Sequence, residues 1–595
     1  MKLSVLALDY DGTVARDDTL DPGVREAIAT ARERGIVVLL VTGRILDELR
    51  RVAGDLHFVD GVVAENGAVI HFPDSEHTSM LAPPVPEAYL TELARRGIAF
   101  RAGQCLVDAN ADDALCLVEV IRALELPLVL VFNRGRVMTK SEGVSKATGL
   151  HAMLDTLRLS ARNTLAIGDA ENDHELLRLS EIGAAVEWGS GSLKGAADVV
   201  VPGSGPTAVA QYVQALAHAG RLPVPRRARR GLRLGHTEDG REFSLAERGL
   251  NVLVAGDLQS GKSWITGLLC EQLILHGYCV CVVDPQGDYR SLEALPGVTV
   301  LGGDDPLPMP RDLCRALRYP DRSVVIDLSR LPQDQKVAYA RAVLPALNVL
   351  RRRTGLPHRI VVDEAHCFLH DVSANHLLDL ELNGYTVVTH CASRLPPELL
   401  AATEVMIVTR ASDPGEVRTL CQCCPNCGNT NQGWWPLLGQ LKPGQAAALP
   451  AAPEAGGDIR LFTVGRRLTP HVRRHEKYVD MPVTDDRAFV FEHNGRGAPH
   501  RRACTLRQFI AALEGTDAGI LAGYLHRHDF SRWMADVFGD RGLAEELRAL
   551  EERYAGGRSK GVVPDIISAI RSRYDLIDDE TVESSVQAPS AAALS

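Results

Sequence analysis

VLALDYDGT, Val5–Thr13, is the stretch on which the reading of this chain turns. Its apolar start reads as a short buried strand. The strand runs into Asp9 and Asp11, one residue apart, and then Gly12-Thr13. Two acids at the carboxyl end of a central strand lie where open α/β sheets bind ligands. Side chains alternate along a strand, so Asp9 and Asp11 can face one pocket while Tyr10 points away. Like charges this close repel unless a cation or a shared proton offsets them. The economical reading is a Mg²⁺ site in which one carboxylate is also a nucleophile. By itself the run also fits a strand ending in an Asp-Gly turn.

Three more pieces of the same chemistry follow in order. GIVVLLVTGR is a second apolar strand ending at Thr42-Gly43-Arg44, where a hydroxyl beside a glycine can hold a phosphoryl oxygen. GVSKATGL sets Lys146 at a helix start, able to neutralise an acid and an incoming phosphate. NTLAIGDAENDHELL is another apolar strand, carrying Gly168-Asp169 and Asn172-Asp173 before a helix. Each piece alone also fits a capped turn or a surface lysine. Between them, DGVVAENGAVI ends in Glu65-Asn66-Gly67-Ala68, and residues 80–155 read as an inserted α/β unit.

These four runs resemble the motifs of the haloacid dehalogenase (HAD) phosphohydrolases, DxDGT through GDxxND. ENGA is similar to a signature of the Cof-like branch, in which a type IIB cap covers the site and selects the substrate. The small insert resembles the caps of archaeal phosphoglycolate phosphatases and of mannosyl- or sucrose-phosphate phosphatases. The resemblance implies a HAD Rossmann-like domain over residues 1–220. It implies that Asp9 forms an aspartyl phosphate, while Asp11 protonates the leaving oxygen and then activates water. Thr42 and Lys146 would hold phosphoryl oxygens. Asp9, Asp11, Asp169 and Asp173 would serve the Mg²⁺.

Gly220–Gly235, GRLPVPRRARRGLRLG, holds two prolines, three glycines and six arginines, so residues 221–241 read as an exposed linker. A second α/β unit is expected over 242–465. NVLVAGDLQSGKSWITGLL places Gly256, Gly261, Lys262 and Ser263 in the pattern GxxxxGK[ST], between a strand and a helix. Such a loop wraps phosphates with backbone N–H groups; Lys262 reaches the β/γ-phosphates and Ser263 takes Mg²⁺. HRIVVDEAH ends an apolar strand at Asp363, for the metal, and Glu364, to polarise water. The strand-like runs CVCVVDPQGDY and SVVIDL lie between the two motifs. With the D-P-x-G-[DE] pattern they resemble the RecA-like P-loop ATPases of the HerA/FtsK group. Asp284 and Asp288 would line the phosphate side or cap the next helix. Thr389 stands at the sensor strand end, and Arg394 and Arg410 are candidate trans-acting arginines if the domain works as a hexameric ring.

Cys421, Cys423, Cys424 and Cys427 hold half a zinc ribbon, but no second CxxC follows, so zinc is set against reduced thiols. Trp434-Trp435 fit a packed loop or a base-stacking platform. A connector over 466–486 includes the basic, aromatic run Arg467–Tyr478. Residues 487–575 read as an α-helical domain, resembling one of unknown function in bacterial proteins, and 576–595 as a disordered tail. At 595 residues the chain exceeds one core. A net charge of −11 argues against a general nucleic-acid binder. An acid-bearing start, no membrane-length apolar run and thirteen scattered cysteines point to the cytoplasm. The function expected is a Mg²⁺-dependent phosphatase of a small phosphorylated metabolite fused to an ATP-hydrolysing domain. The alternative is a ring-forming DNA translocase, or nucleic-acid-processing enzyme, with the phosphatase part as accessory.

Overall fold

A computed structural model describes residues 1–133, 135–224, 231–246, 249–370, 373–423, 435–450, 459–470, 483, 487–491, 501–538, 541–557 and 561–574. Its N-terminal part is an eight-stranded sheet with Val5–Leu8 between Thr164–Gly168 and Val37–Val41. Gly61–Ala64 extends the parallel set, and Val69–Phe72 and His77–Met80 close one edge antiparallel. Alternation explains the apolar run. Leu6 and Leu8 pack with helices Pro22–Glu33 and Gly205–Ala219 on one face. Val5 and Ala7 pack with Lys146–Leu157 and His174–Leu179 on the other. A strand covered on both faces needs apolar residues at every position.

The insert is a four-stranded antiparallel sheet, from Phe100–Ala102 to Arg136–Ser141, backed by helices Glu87–Arg95 and Ala114–Ala123. It ends earlier than the 80–155 expected, because Lys146–Leu157 packs on the main sheet. The ENGA turn makes that packing possible. Gly67 has φ +100°, and a Cβ there would lie 1.9 Å from the Ser145 carbonyl oxygen. Glu65, buried, accepts N–H groups of Gln104 and Cys105 and so ties the insert's linker to the third strand.

The second sheet has eleven strands. Its parallel section runs Val405–Val408, Val252–Ala255, Tyr385–Thr389, Arg359–Val362, Val280–Asp284, Ser323–Asp327 and Val298–Gly302. The strand between the glycine-loop strand and the Asp363 strand is therefore Tyr385–Thr389, later in sequence than the two runs lying between the motifs. Gly231–Thr237, expected as linker, is a strand paired with Arg460–Val464. Leu232 and Leu234 are buried while Arg233 points out, an alternation that the arginine-rich composition obscured. Residues 225–230 of that linker lie outside the described residues.

The C-terminal region is not wholly helical. Phe489–Phe491 pairs with Arg501–Ala503, and the strand's Phe489 packs on Phe509, Tyr524, Phe530 and Trp533 from the helices. Most of Arg467–Tyr478, Trp434 and residues 575–595 lie outside the described residues. Among the described residues, no helix is long and apolar enough to cross a membrane.

The two sheets meet at their amino-terminal ends. His358 Nδ1 accepts the Cys279 N–H at 2.7 Å, so its Nε2–H donates to Asn163 Oδ1 at 3.0 Å. Asn163 Nδ2 donates to the Lys2 carbonyl, and Lys2 Nζ to that of Arg352. Tyr278 donates to Glu181 across the same seam. Because ligands bind at the carboxyl ends of parallel strands, the two candidate sites face opposite ends of the molecule.

Candidate functional site

The strand alternation that buries Ala7 sends Asp9 toward the Lys146 helix. A capping box sets that helix: Ser145 Oγ accepts the Thr148 N–H and Thr148 Oγ1 accepts the Ser145 N–H. Lys146, 1% exposed, donates to Asp9 at 2.6 Å and to Asp173 at 2.7 Å. Thr13 donates to the other Asp9 oxygen at 3.1 Å. Asp173 spends its second oxygen on the N–H groups of Asp169 and Ala170, each at 3.0 Å. Asp173 is thus a brace for the loop that carries Asp169.

Ligand atoms of Asp9, Asp169 and Asp173 lie within 4.8 Å of one another, all buried. Burial, then Asp173, pushes the Asp9 carboxyl well above the ordinary range, against the pull of Lys146. Burial opposes the charge on Lys146, yet Asp173 and Asp9 hold its pKa above the usual lysine value. Three acids facing one ammonium leave a buried excess of negative charge, and a divalent cation fits that imbalance. Asn172 adds a second sign: its amide nitrogen and oxygen are buried with no hydrogen-bond partner among the described residues.

Thr42 is buried at the end of its strand, its hydroxyl oxygen accepting the Arg44 N–H at 3.1 Å. Asp11 departs from expectation. The strand stops at Leu8, and Asp11 lies in the following turn, outside the three-acid cluster. Its carboxylate is held by Arg44, at 2.7 Å through Nε. Its side chain therefore faces Arg44. Arg44, Thr13 and Asn172 were not singled out in sequence. Arg44, directly after Thr42-Gly43, was the readable one.

The glycine loop lies at the opposite end. Gly256 has φ +154°, and a Cβ there would meet Thr409 Oγ1 at 2.0 Å. Gly261, φ +104°, starts the Lys262–Leu275 helix. Lys262 Nζ donates to the Asp257 carbonyl within the loop at 2.9 Å. Ser263 is the second residue of that helix. Asp363 is buried and accepts the Glu364 N–H. Glu364 meets His390 at 3.2 Å and His366 at 3.6 Å. Although burial works against the charge, Cys391 and Glu364 hold the His390 pKa up to about 9. Burial, then His390, takes His366 down to about 3. Of the two imidazoles beside Glu364, His390 is thus the one that carries charge; Thr389 Oγ1 is taken by His366 and the Cys391 N–H. Asp284 accepts the N–H groups of Gln286, Gly287, Asp288 and Tyr289 in the turn before the Arg290–Ala294 helix, which itself has no side-chain cap. Arg410 is tied to its own chain's Asp257 at 3.1 Å. Cys421 and Cys423 sit at the end of the Pro414–Gln422 helix; Cys424 and Cys427 lie outside the described residues.

A doubly covered parallel sheet with an aspartate, a lysine and a distal acid gathered at its carboxyl end is the arrangement of a phosphate-ester hydrolase. Residues 6–95 and 100–213 match the haloacid dehalogenase-like hydrolase family. The chain is 31% identical over 211 residues to a phosphoglycolate phosphatase of Halorubrum lacusprofundi, covering 33% of this chain and 91% of the relative. It is 30% identical over 209 residues to one of Natronomonas pharaonis, covering 33% and 91%. A solved haloacid dehalogenase-like hydrolase from Bacteroides thetaiotaomicron aligns with a TM-score of 0.32 at 18% identity, covering 36% of this chain and 100% of its own. Through its N-terminal part, this chain belongs to the haloacid dehalogenase-like hydrolase family.

Proposed function

We propose that the N-terminal domain is a Mg²⁺-dependent phosphatase of small phosphorylated metabolites, working through an aspartyl phosphate on Asp9. The observation that carries this is the Asp9–Lys146–Asp173 contact beside Asp169, a buried anionic cluster with one ammonium. Asp9 and Asp169 would hold the cation, which supplies charge neutralisation at the phosphoryl oxygens. Asp9 Oδ attacks phosphorus, and the bond to the leaving oxygen breaks as Asp11 donates a proton to it. Asp11 must leave Arg44 and be protonated to make that transfer; the carboxylate it becomes then takes a proton from the water that hydrolyses the aspartyl phosphate. Lys146 and the Thr42 hydroxyl hold phosphoryl oxygens. The insert over Glu87–Ser141 would be the cap. Met138 and Arg136 share a sheet face with Asp108 and Arg101, by register at alternate or paired positions. The Met138 sulfur lies near Gly43, so this face covers the site. On this face Arg136 pairs with Asp108 and Arg101 with Glu48; the relatives' name makes phosphoglycolate the first substrate to assay. Activity with Mg²⁺ across a panel of phosphorylated acids, sugars and nucleotides, set against Asp9→Asn, tests the reading.

We further propose that the second sheet carries a P-loop ATPase similar to the HerA/FtsK group. Gly256, Gly261, Lys262 and Ser263 would take the phosphates, Asp363 the Mg²⁺, and Glu364 the attacking water. The loop-to-helix start and the Asp363-Glu364 strand end, one strand away across Tyr385–Thr389, support it. ATP turnover with and without DNA separates a metabolite-linked ATPase from a translocase, which DNA should stimulate.

A further inference from the structure

Leu258 is the third residue of the glycine loop, a position where a large apolar side chain has no part in holding phosphate. It is 8% exposed and belongs to the hydrophobic cluster of the C-terminal region, with Phe489, Phe509, Trp533 and Phe538. A cavity of about 100 Å³ lies at that junction. One wall is Asp257, His390 and Arg410, the other Arg487 and Phe538. His390 is the group that meets Glu364, so this cavity opens beside the reacting end of the proposed nucleotide site. Arg487 is anchored through its backbone, whose carbonyl accepts Trp533 Nε1–H at 2.8 Å. Its guanidinium pairs with Asp413, which caps the Pro414–Gln422 helix that follows the strand Val405–Val408. Arg410 pairs with Asp257. Both arginines on the cavity wall are thus engaged by carboxylates of the second domain.

We propose that the C-terminal helical region is a lid on the glycine loop of its own chain, seated by Leu258 and drawn tighter by Arg487 when phosphates fill the loop. This rests on the nucleotide reading above. A triphosphate brings several negative charges to a cavity in which Arg410 and Arg487 face Asp257, Asp413, Glu416 and Asp536, and competes with those carboxylates for the two guanidinium groups, with Asp413 for Arg487 above all. The pull acts through Trp533 on the helices, while Leu258 transmits loop movement into the aromatic core. The helical region thereby gains a function: it completes the nucleotide site in cis and reports its occupancy.

Hydrogen exchange of the full chain with and without saturating Mg²⁺-ATPγS tests this, with occupancy followed separately by displacement of a fluorescent ATP analogue. Exchange across 529–538 should slow by about threefold or more in the wild type. Leu258→Ser and Arg487→Ala, each compared at full occupancy, should reduce the slowing to less than about twofold. Unchanged or faster exchange at full occupancy overturns the lid while leaving the nucleotide site standing. Slowing that persists in both variants overturns it equally. Absence of any nucleotide binding overturns the P-loop reading and the lid with it. Arg487→Ala keeps the test sharp should Leu258→Ser unfold the helices.

Discussion

The two candidate sites handle charge in opposite ways. Around Asp9, three buried acids share one ammonium, an excess of negative charge that a divalent cation would offset. Around Lys262, the cations are engaged within the domain: Lys262 hydrogen-bonds the Asp257 carbonyl, Arg410 pairs with Asp257 and His390 with Glu364. The first site is built to receive charge. In the second, on the nucleotide reading proposed above, these contacts would have to be released before phosphates could use them. Both sit at carboxyl ends of parallel strands, so the difference comes from the side chains placed there.

The contrast breaks most clearly at Asp9. Asp9→Asn should lower phosphatase kcat by at least about 10⁴-fold and leave nucleotide turnover intact, as steady-state assays of both activities will show. Chelation by EDTA should remove about 10³-fold of phosphatase activity, restored by Mg²⁺. Lys262→Ala should weaken nucleotide binding by about 10–100-fold, measured by fluorescence titration, with phosphatase activity unaltered. A single substitution that silences both activities without unfolding would end the picture of independent sites.

The seam between the sheets offers a smaller test. Burial, then Arg162, keeps the His358 pKa down to about 3. The unfolded chain binds that proton near the ordinary histidine value. Stability from this group is therefore full above the unfolded pKa and falls as pH drops through it toward the folded one. Between pH 7.5 and 5 the loss should be about 2 kcal/mol. Urea midpoints at the two pH values should show that slope in the wild type and a shallower one in His358→Gln. Smallest of all, Asn172→Ala should cost about tenfold in phosphatase kcat/KM. An unaffected Asn172→Ala enzyme would make its unpartnered amide a packing feature.

Much of the phosphatase site was legible because strand, acid and glycine lie adjacent in sequence. Asp9, Thr42, Lys146, Asp169 and Asp173 each end a short apolar run or begin a helix, and local rules locate such points. Asp11 was misread because the strand stops three residues earlier, so alternation no longer governs where its side chain goes. His390 was passed over for Thr389 because neighbouring residues at a strand end point in different directions. The strand at Gly231–Thr237 was hidden by arginines on its exposed face.

By itself the sequence determined the order of the phosphate-binding runs, the doubly buried strands that carry them and the family of the N-terminal domain. Those are matters of local pattern: apolar period, glycine placement, capping. Only the tertiary structure decided which acid meets Lys146, which histidine meets Glu364, that the two sites face away from each other, and that Leu258 lies in another region's core. Each of these joins residues far apart in sequence, and no local period records which surfaces will be brought together.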